Sequence, residues 1–588
     1  MATPDGTFFD CDFHLRFTLF KPLQKNTSVG MASVSFTQAL TSLDPKIRFN
    51  EKDGTYRSFA HVKAGIDPNI QAETFRSSLG ESYQVTLDGK ALVIKPSLSL
   101  LWSHLLHHPH PVSPTSHPIK GSDLPETIIL DYSSPNIAKA MHVGHLRSTI
   151  LGDCLARVFE AEGHTVKRIN HLGDFGTHFG MLIETLNAKG EGVTTIEALQ
   201  EVYKEGRARY AFDEEFAKAC RERVVRFQAG DPSSSEAWKD ICKVSMEGFD
   251  AIYDRLGVHL EVVGESFYQP LIPPLLDSLK DHMVNNDGRL QMGIPEEKVP
   301  LTLVKSDGGY TYDTTDLTAL HHRIFDQGAN RIYYVVDNGQ ALHFRVLFGV
   351  ASSLGWISDS HDIRHVGFGI VLGEDKKRLR SSSGESIPLK SLLDEALVQT
   401  ERVLREGNST GLDEETLMAN VPKMAYAAVK YADLSVQRHA DYVFSFDRML
   451  SLKGNTALYL LYAFVRIGSI LRKAKSHGIS LDGLIGSDDS PFPDHPNFYL
   501  LLAHFCTWEA TWESTVTRLE PHHLCTFVYK LATIFHKFVT TSRVLSFHPD
   551  DPELLISYSS KALHLAVRTH SLMAFIFHLL GLPTMDRL

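Results

Sequence analysis

One stretch of the chain constrains its fold more than any other. Thr127-Ile128-Ile129-Leu130 is a short apolar run, Ser133-Ser134-Pro135-Asn136 is a breaker turn, and Leu146, Ile150, Leu151, Leu155 and Val158 then recur at helical spacing. Gly163 stands at the end of that pattern, and Val166 to Ile169 is a second short apolar run. A continuous apolar run suits a strand buried on both faces. The spacing predicts a β-α-β unit, and hence an α/β domain with a parallel sheet. Further strands are expected at Ile332 to Val336 and Val366 to Leu372. Residues 185–300 carry mostly helical patterns, clearest over Ser235 to Leu256, and are expected to be an insertion in this domain.

The flanks differ. Residues 1–120 alternate β-branched and aromatic runs (Phe13 to Phe20, Tyr83 to Leu87, Ala91 to Lys95) with polar turns, which predicts a small α+β domain. Pro109, Pro111, Pro114 and Pro118 crowd the tract from His107 to Ser122, so the boundary is placed there. After about residue 415 the patterns are helical: Met424 to Ala432, Asn455 to Lys475, Tyr499 to Glu513, Leu524 to Val539 and Ala562 to Leu580. The expected division is 1–120, 121–415 and 416–588, the last part all-α. The 588 residues are 43% apolar and carry a net charge of −11, which excludes a polycation that coats nucleic acid but not an enzyme gripping it through local patches. From 421 to 588 there are 16 Lys and Arg against 14 Asp and Glu, a small positive relief. Six scattered cysteines with no Cys-x-x-Cys pair argue against a zinc ribbon or disulfide scaffold and for a reducing compartment. The start of the chain does not resemble a signal peptide, and its apolar stretches are shorter than the ~20 residues of a membrane span. A cytoplasmic protein that does not engage membranes is expected.

His142-Val143-Gly144-His145 stands just after the first strand, at the start of the helix. Histidines at i and i+3 share a helical face, and a helix N-terminus attracts phosphate. Imidazoles there can donate to oxygens that gain charge in phosphoryl or nucleotidyl transfer. Gly144 leaves room for a flat ring or a phosphate against the backbone. Among 30 histidines a lone His-x-x-His is also compatible with a surface pair, and a metal pair has no further ligand cluster nearby.

The segment from Asp131 to Thr149 resembles the first signature of class I aminoacyl-tRNA synthetases, in the form found in arginyl-tRNA synthetases. His171 to Gly180 resembles the next family segment. Tyr310 to Leu317 and Tyr334 to Phe344 resemble the amino-acid pocket, and Lys430 to Leu434 with Asp441 to Asp447 resemble the C-terminal part of the eukaryotic cytosolic form. The resemblance covers about residues 125–588. It implies a Rossmann-type catalytic domain with a helical insertion and an all-α anticodon-binding domain. It implies arginine–tRNA ligation through arginyl-adenylate, with L-arginine, ATP-Mg²⁺ and tRNA-Arg as substrates and no protein-bound metal. A monomer is expected.

The resemblance assigns ATP to His142, Gly144, His145, Gly369 and Val371, with His142 and His145 stabilising the transition state. It assigns the amino and carboxylate end of arginine to Asp131, Ser134, Pro135 and Asn136. The guanidinium end is assigned to Tyr312, Asp316 and Gln340, and that choice also follows from chemistry. A guanidinium is a permanent planar cation whose best partner is a carboxylate, with an aromatic ring or amide oxygen beside it. Asp316 capping a helix that begins at Leu317, and Tyr312 packed in the core, are the structural alternatives. Gly369 to Gly384 matches the mobile basic loop of the second signature in position, with Arg380, Lys376 and Lys377 as cations. Ser382 stands where the pattern carries a further basic residue, and Lys139 is thought to share its work. In the helical domain Asn455, Thr456, Tyr459, Tyr462 and Arg466 are assigned to tRNA. Tyr459 and Tyr462 share a face, either as a stacking platform for bases or as core. Phe547 to Ser560 departs from the family pattern, and in residues 1–120 only Gly89 to His107 is suggestive.

Overall fold

The computed structural model describes residues 47–50, 52–58, 67–79, 81–107, 124–190, 193–228, 231–379, 387–406, 413–481, 484 and 491–588. The strand expected at Phe13 to Phe20, most of the His107 to Ser122 tract, and Arg380, Ser381 and Ser382 lie outside them.

The N-terminal unit is a four-stranded antiparallel sheet in the order β1 (Arg48–Asn50), β2 (Thr55–Ser58), β4 (Ala91–Pro96), β3 (Tyr83–Asp88), with helices α1 (Pro68–Leu79) and α2 (Leu98–His107). Both sequence-predicted strands here are present.

The β-α-β unit forms as its spacing requires: β5 (Thr127–Asp131), α3 (Val143–Ala161) and β6 (Thr165–Asn170). They belong to a five-stranded parallel sheet in the order β12 (Asp362–His365), β11 (Arg331–Tyr334), β5, β6, β7 (Glu261–Val262). Alternate residues of a strand face opposite sides. Ile128 and Leu130 accordingly join the large apolar core that also takes in α3 and the C-terminal helices, while Ile129 joins the core on the opposite face. The chain leaves β5 toward β6 on one side and returns to β11 on the other. That reversal opens a crevice at the C-terminal ends of β5 and β11, where α/β sheets take ligands.

Four helices fill the connection from β6 to β7: α4 (Thr177–Lys189), α5 (Ile196–Tyr210), α6 (Glu214–Gln228) and α7 (Pro232–Leu256). Two short helices follow, α8 (Glu265–Tyr268) and α9 (Ile272–Ser278). The insertion does not stay helical. β8 (Val284–Asn286), β9 (Arg289–Met292) and β10 (Leu301–Val304) form an antiparallel sheet before α10 (Tyr312–Phe325). Its strands are three or four residues long and β8 is exposed throughout, too short and polar for an alternating pattern. After β11 and α11 (Ala341–Ser353) the expected strand at Val366 to Leu372 is displaced. The edge strand is β12, whose charged Asp362 and Arg364 pair with each other, and an edge strand can carry charge. Residues 366–370 cross the crevice instead. β13 (Val371–Leu372) pairs with β14 (Tyr442–Val443).

Helices α12 (Leu389–Glu406), α13 (Glu414–Leu434), α14 (Phe446–Met449), α15 (Ala457–Ser476), α16 (Pro496–Phe505), α17 (Trp508–Arg518), α18 (His522–Thr541) and α19 (Ser560–Leu579) complete the fold. The helix expected from Tyr499 to Glu513 breaks at Cys506-Thr507. The expectation that strands end near 415 is corrected by β14 and by a hairpin of β15 (Leu545–His548) and β16 (Asp551–Tyr558). β16 exposes Leu554, Ile556 and Tyr558, so its alternation does not mark a buried face. No separate core begins at 415: Leu392, Ala425 and Leu524 belong to one apolar cluster.

A buried ion pair joins these parts. Arg147 of α3 is 1% exposed, Asp433 of α13 is 0% exposed, and Nε lies 3.2 Å from the Asp433 carboxylate. Arg147 Nη1 also donates to Gly369 O at 2.8 Å and Ala440 O at 3.0 Å. Removing one partner of a buried pair strands the other charge and costs about 3–5 kcal/mol. Asp433→Ala is expected to lower the unfolding free energy by that amount, read in urea as a lower midpoint at an unchanged slope. A midpoint equal to the parent's would show that the pair does not hold the units together.

Candidate active site

β5 ends in Asp131, and the chain then turns through Ser133 (φ 72), Ser134 (φ 45) and Ala138 (φ 60), left-handed conformations that non-glycine residues adopt at a cost. Hydrogen bonds hold the turn. Ser133 N–H donates to Ser148 Oγ at 2.8 Å, Ser134 N–H to Asn170 Oδ1 at 3.0 Å, and Ser134 Oγ–H to Asp131 Oδ1 at 3.0 Å. Pro135 is buried, and its carbonyl accepts from Gly173 N–H at 3.3 Å. Asp131 Oδ2 lies 2.7 Å from Nη1 of the fully buried Arg323. Both oxygens of Asp131 are therefore engaged, and it acts on the crevice through Ser134.

The histidine pair meets by a route the helical-face argument did not foresee. His142 is extended (φ −124, ψ 174) and caps α3 rather than belonging to it. Gly144 N–H donates to His142 Nδ1 at 3.0 Å, and His142 N–H donates to His145 Nδ1 at 3.0 Å. The rings lie 4.0 Å apart. Since each Nδ1 accepts, each neutral ring carries its proton on Nε2. Burial, then the neighbouring charges of Arg378 and Lys139, holds His142 below the usual imidazole range, and burial drives His145 down to about 3. Both are neutral Nε2–H donors at neutral pH. A Cβ on Gly144 would come within 2.8 Å of the His142 ring, so the glycine makes room for the cap itself.

The crevice encloses about 350 Å³, within the range of small-molecule sites. Ser134, Asn136, His142, Gly144, His145, Gln340, Gly369 and Val371 all line it. Two arginines line it, the buried Arg147 of α3 and Arg378, and sequence reasoning passed over both. Lys376 and Lys377 are exposed on the turn before Arg378, Lys376 at φ 59. Lys139 is not on the wall; its ammonium sits 5.2 Å over the Tyr203 ring of α5.

Tyr312 and Asp316 are not among the residues that line this crevice; they belong to an acidic group carried by α10 and α11. Thr311 caps α10, so Asp316 is inside the helix and is not the cap of a helix beginning at Leu317. Tyr312 is 62% exposed and is not core. Asp316 Oδ2 lies 2.7 Å from His343 Nε2, and His343 Nδ1 lies 3.3 Å from Asp313 Oδ1. Carboxylates only accept, so a ring between two of them carries both protons. Those two aspartates overcome the burial of His343 and raise it to about 9. The Tyr312 ring stands 5.1 Å from His343, and His171 Nε2 is 3.8 Å from Asp316 Oδ1. Burial, with the charges of Asp316 and Asp174 adding to it, raises Glu265 to about 8. Glu265 and His343 were also missed. His343 lies one turn beyond Gln340 in a motif already noticed, whereas no local pattern marks Glu265.

Far from the crevice, the expected RNA-contacting residues separate. Asn455 Oδ1 accepts from Tyr431 O–H at 2.6 Å, Thr456 caps α15, and Arg466 Nη1 lies 2.9 Å from His536 Nδ1. Tyr459 packs edge-on to Tyr529 and donates to Thr533 Oγ1 at 3.4 Å. Tyr462 is 50% exposed.

A family profile described as the catalytic domain of class I tRNA synthetases (R) matches residues 117–446, and one described as the DALR anticodon binding domain matches 460–588. The chain is 45% identical over 437 residues to the cytoplasmic arginine–tRNA ligase of Mus musculus, covering 72% of this chain and 66% of that one. It is 42% identical over 467 residues to the arginine–tRNA ligase of Chlamydia felis, covering 79% and 80%. The crystal structure of the arginyl-tRNA synthetase of Plasmodium falciparum superposes with a TM-score of 0.76 at 28% identity, over 94% of this chain and 98% of that one.

The charge of the acidic group sets an expected pH dependence. A guanidinium bound at Asp316 favours the ionised form of Glu265, so binding releases its proton. Arginine affinity should then rise with pH up to about 8 and level off above it. Calorimetric titration from pH 6 to 9 measures this. A slope that persists unchanged in Glu265→Gln would assign the proton to another group.

Proposed function

The chain belongs to the class I tRNA synthetases of the arginine type, and from that premise we propose that it joins L-arginine to tRNA-Arg at the expense of ATP. The observation that carries the reading is the polarity of the crevice: two neutral imidazole donors and a helix N-terminus at one end, and carboxylates suited to a guanidinium beside the other. Asp316, with Tyr312 and Gln340, receives the side chain of arginine, and Ser134 and Asn136 receive its amino-acid end. The α-carboxylate attacks the α-phosphate of ATP, the bond to pyrophosphate breaks, and arginyl-adenylate forms. The terminal ribose hydroxyl of tRNA then takes the arginyl group and AMP leaves. No covalent enzyme intermediate is needed, so catalysis is alignment and charge stabilisation. The Nε2–H groups of His142 and His145 donate to phosphate oxygens as charge develops, Arg378 adds a cation at the same wall, and magnesium arrives with ATP.

ATP–pyrophosphate exchange with each amino acid, with and without tRNA, tests the reading: arginine alone should support exchange. Exchange driven by another amino acid, or none with arginine and tRNA both present, would overturn it. His142→Asn keeps a good helix cap but shortens the donor beyond reach. Loss of such a donor typically costs ~10²–10³ in rate. The expected result is that loss with an unchanged melting temperature.

For the RNA end we propose Tyr462, rather than Tyr459, as the base-stacking residue, because it is the exposed one of the pair. Stacking is worth ~1–3 kcal/mol per base. Tyr462→Ala should weaken tRNA-Arg binding by about tenfold or more without moving the melting temperature, whereas Tyr459→Ala should lower the melting temperature. Equal tRNA affinity for parent and Tyr462→Ala would remove Tyr462 from the interface. Among the described residues no helix is long and apolar enough to cross a membrane, and the mouse relative is named as cytoplasmic. Both support a cytoplasmic enzyme, read here as a monomer.

A further inference from the structure

The turn between α17 and α18 gathers donors that neither the crevice nor the RNA surface uses. Glu520 Oε2 lies 3.3 Å from His523 Nε2 and 3.9 Å from His522 Nδ1, and the three atoms are all within 4.8 Å of one another. Both nitrogens are shielded from solvent and make no hydrogen bond. An unpartnered buried nitrogen normally has an explanation, such as an ion.

We propose that Glu520, His522 and His523 form a binding site for a divalent transition metal of the zinc class. Two imidazoles and one carboxylate suit zinc, whereas magnesium and calcium prefer all-oxygen sets. Bonds of about 2.0–2.2 Å in a tetrahedron place ligand atoms roughly 3.3–3.5 Å apart, so the site needs only a small closure. Three protein ligands leave a fourth position for water. His523 also lines a cavity of about 370 Å³, shared with Phe49 and Tyr56 of the N-terminal unit. The charge of Glu520 offsets the nearby cations Arg438 and Arg518.

The location sets the consequence. Thr517 O and Arg518 O at the end of α17 accept from Arg364 Nη1 at 3.0 Å and Arg438 Nη2 at 3.4 Å, and Arg438 Nη1 donates to Gly367 O at 2.7 Å. The turn is thus a seam between the edge of the parallel sheet and the C-terminal helices. A metal there ties the turn after α17 to the first turn of α18 at that seam.

The full-length enzyme, stripped with EDTA and dialysed, is titrated with Zn²⁺ by calorimetry and with Co²⁺ by visible absorption. One equivalent should bind, Co²⁺ should show the bands of a four-coordinate site, and Zn²⁺ should raise the melting temperature. Glu520→Gln, His522→Ala and His523→Ala should each weaken binding by more than about tenfold. Their metal-free melting temperatures, compared with that of the metal-free parent, report folding. Should a histidine variant unfold, the near-isosteric Glu520→Gln decides alone. Absence of a bound equivalent in the parent, or parental affinity in Glu520→Gln, would overturn the site.

Discussion

Arg147 and Asp433 are charged groups with no water to share, and the rest of the molecule is arranged so that neither is left alone. In a low-dielectric interior a separated pair is far more costly than at the surface. The Arg147 guanidinium therefore ties helix α3 to Gly369 on the crevice wall and to Asp433 and Ala440 on the C-terminal side. The rings of Tyr442 and Phe368 lie 5.2 and 5.7 Å from it. His145 stands just before Arg147 on the same helix, and His142 caps that helix. The wall of the crevice and helix α13 are in this way held to one another by a single side chain, and they share one apolar core.

Burial favours the neutral form of both His145 and His343, and the outcome differs because at His343 two carboxylates oppose it. At the helix start it withholds charge: His145 is pressed to about 3, and the Nδ1 of each ring is spent on a backbone N–H, so what remains is a pair of Nε2–H donors. Near Asp316 charges accumulate. Asp313 and Asp316 hold His343 protonated against its burial, and Glu265 keeps its proton because it is buried, with two nearby carboxylates adding to the effect. Donors suited to a phosphate therefore stand at the start of α3, and carboxylates suited to a guanidinium stand on α10.

Much of this was legible in local pattern. The β5-α3-β6 unit is encoded within some forty residues, and the histidine pair, Asn136, Gln340 and Gly369 converge where their motifs led one to expect. What failed, failed for physical reasons. β12 is an edge strand that carries charge, and the β8–β10 sheet is too short for alternation to show. Arg378 faces the crevice instead of Lys376 and Lys377 because the loop turns back after Gly373, where Gly373 N–H donates to Lys377 O and Leu379 N–H to Val371 O. Asn455 and Arg466 have polar partners inside the protein, on Tyr431 and His536, dozens of residues away.

By itself the sequence determined which elements form and which chemistry they can carry, because strand and helix periods, caps and breaker turns act over a few residues. It determined that a helix begins beside two histidines and that a carboxylate is available for a guanidinium. Only the tertiary structure decided which groups are charged. Protonation of Glu265 and His343, the tautomer of the histidine pair, and the packing of a half-buried Tyr459 beside an exposed Tyr462 all depend on desolvation and on partners brought together from distant parts of the chain.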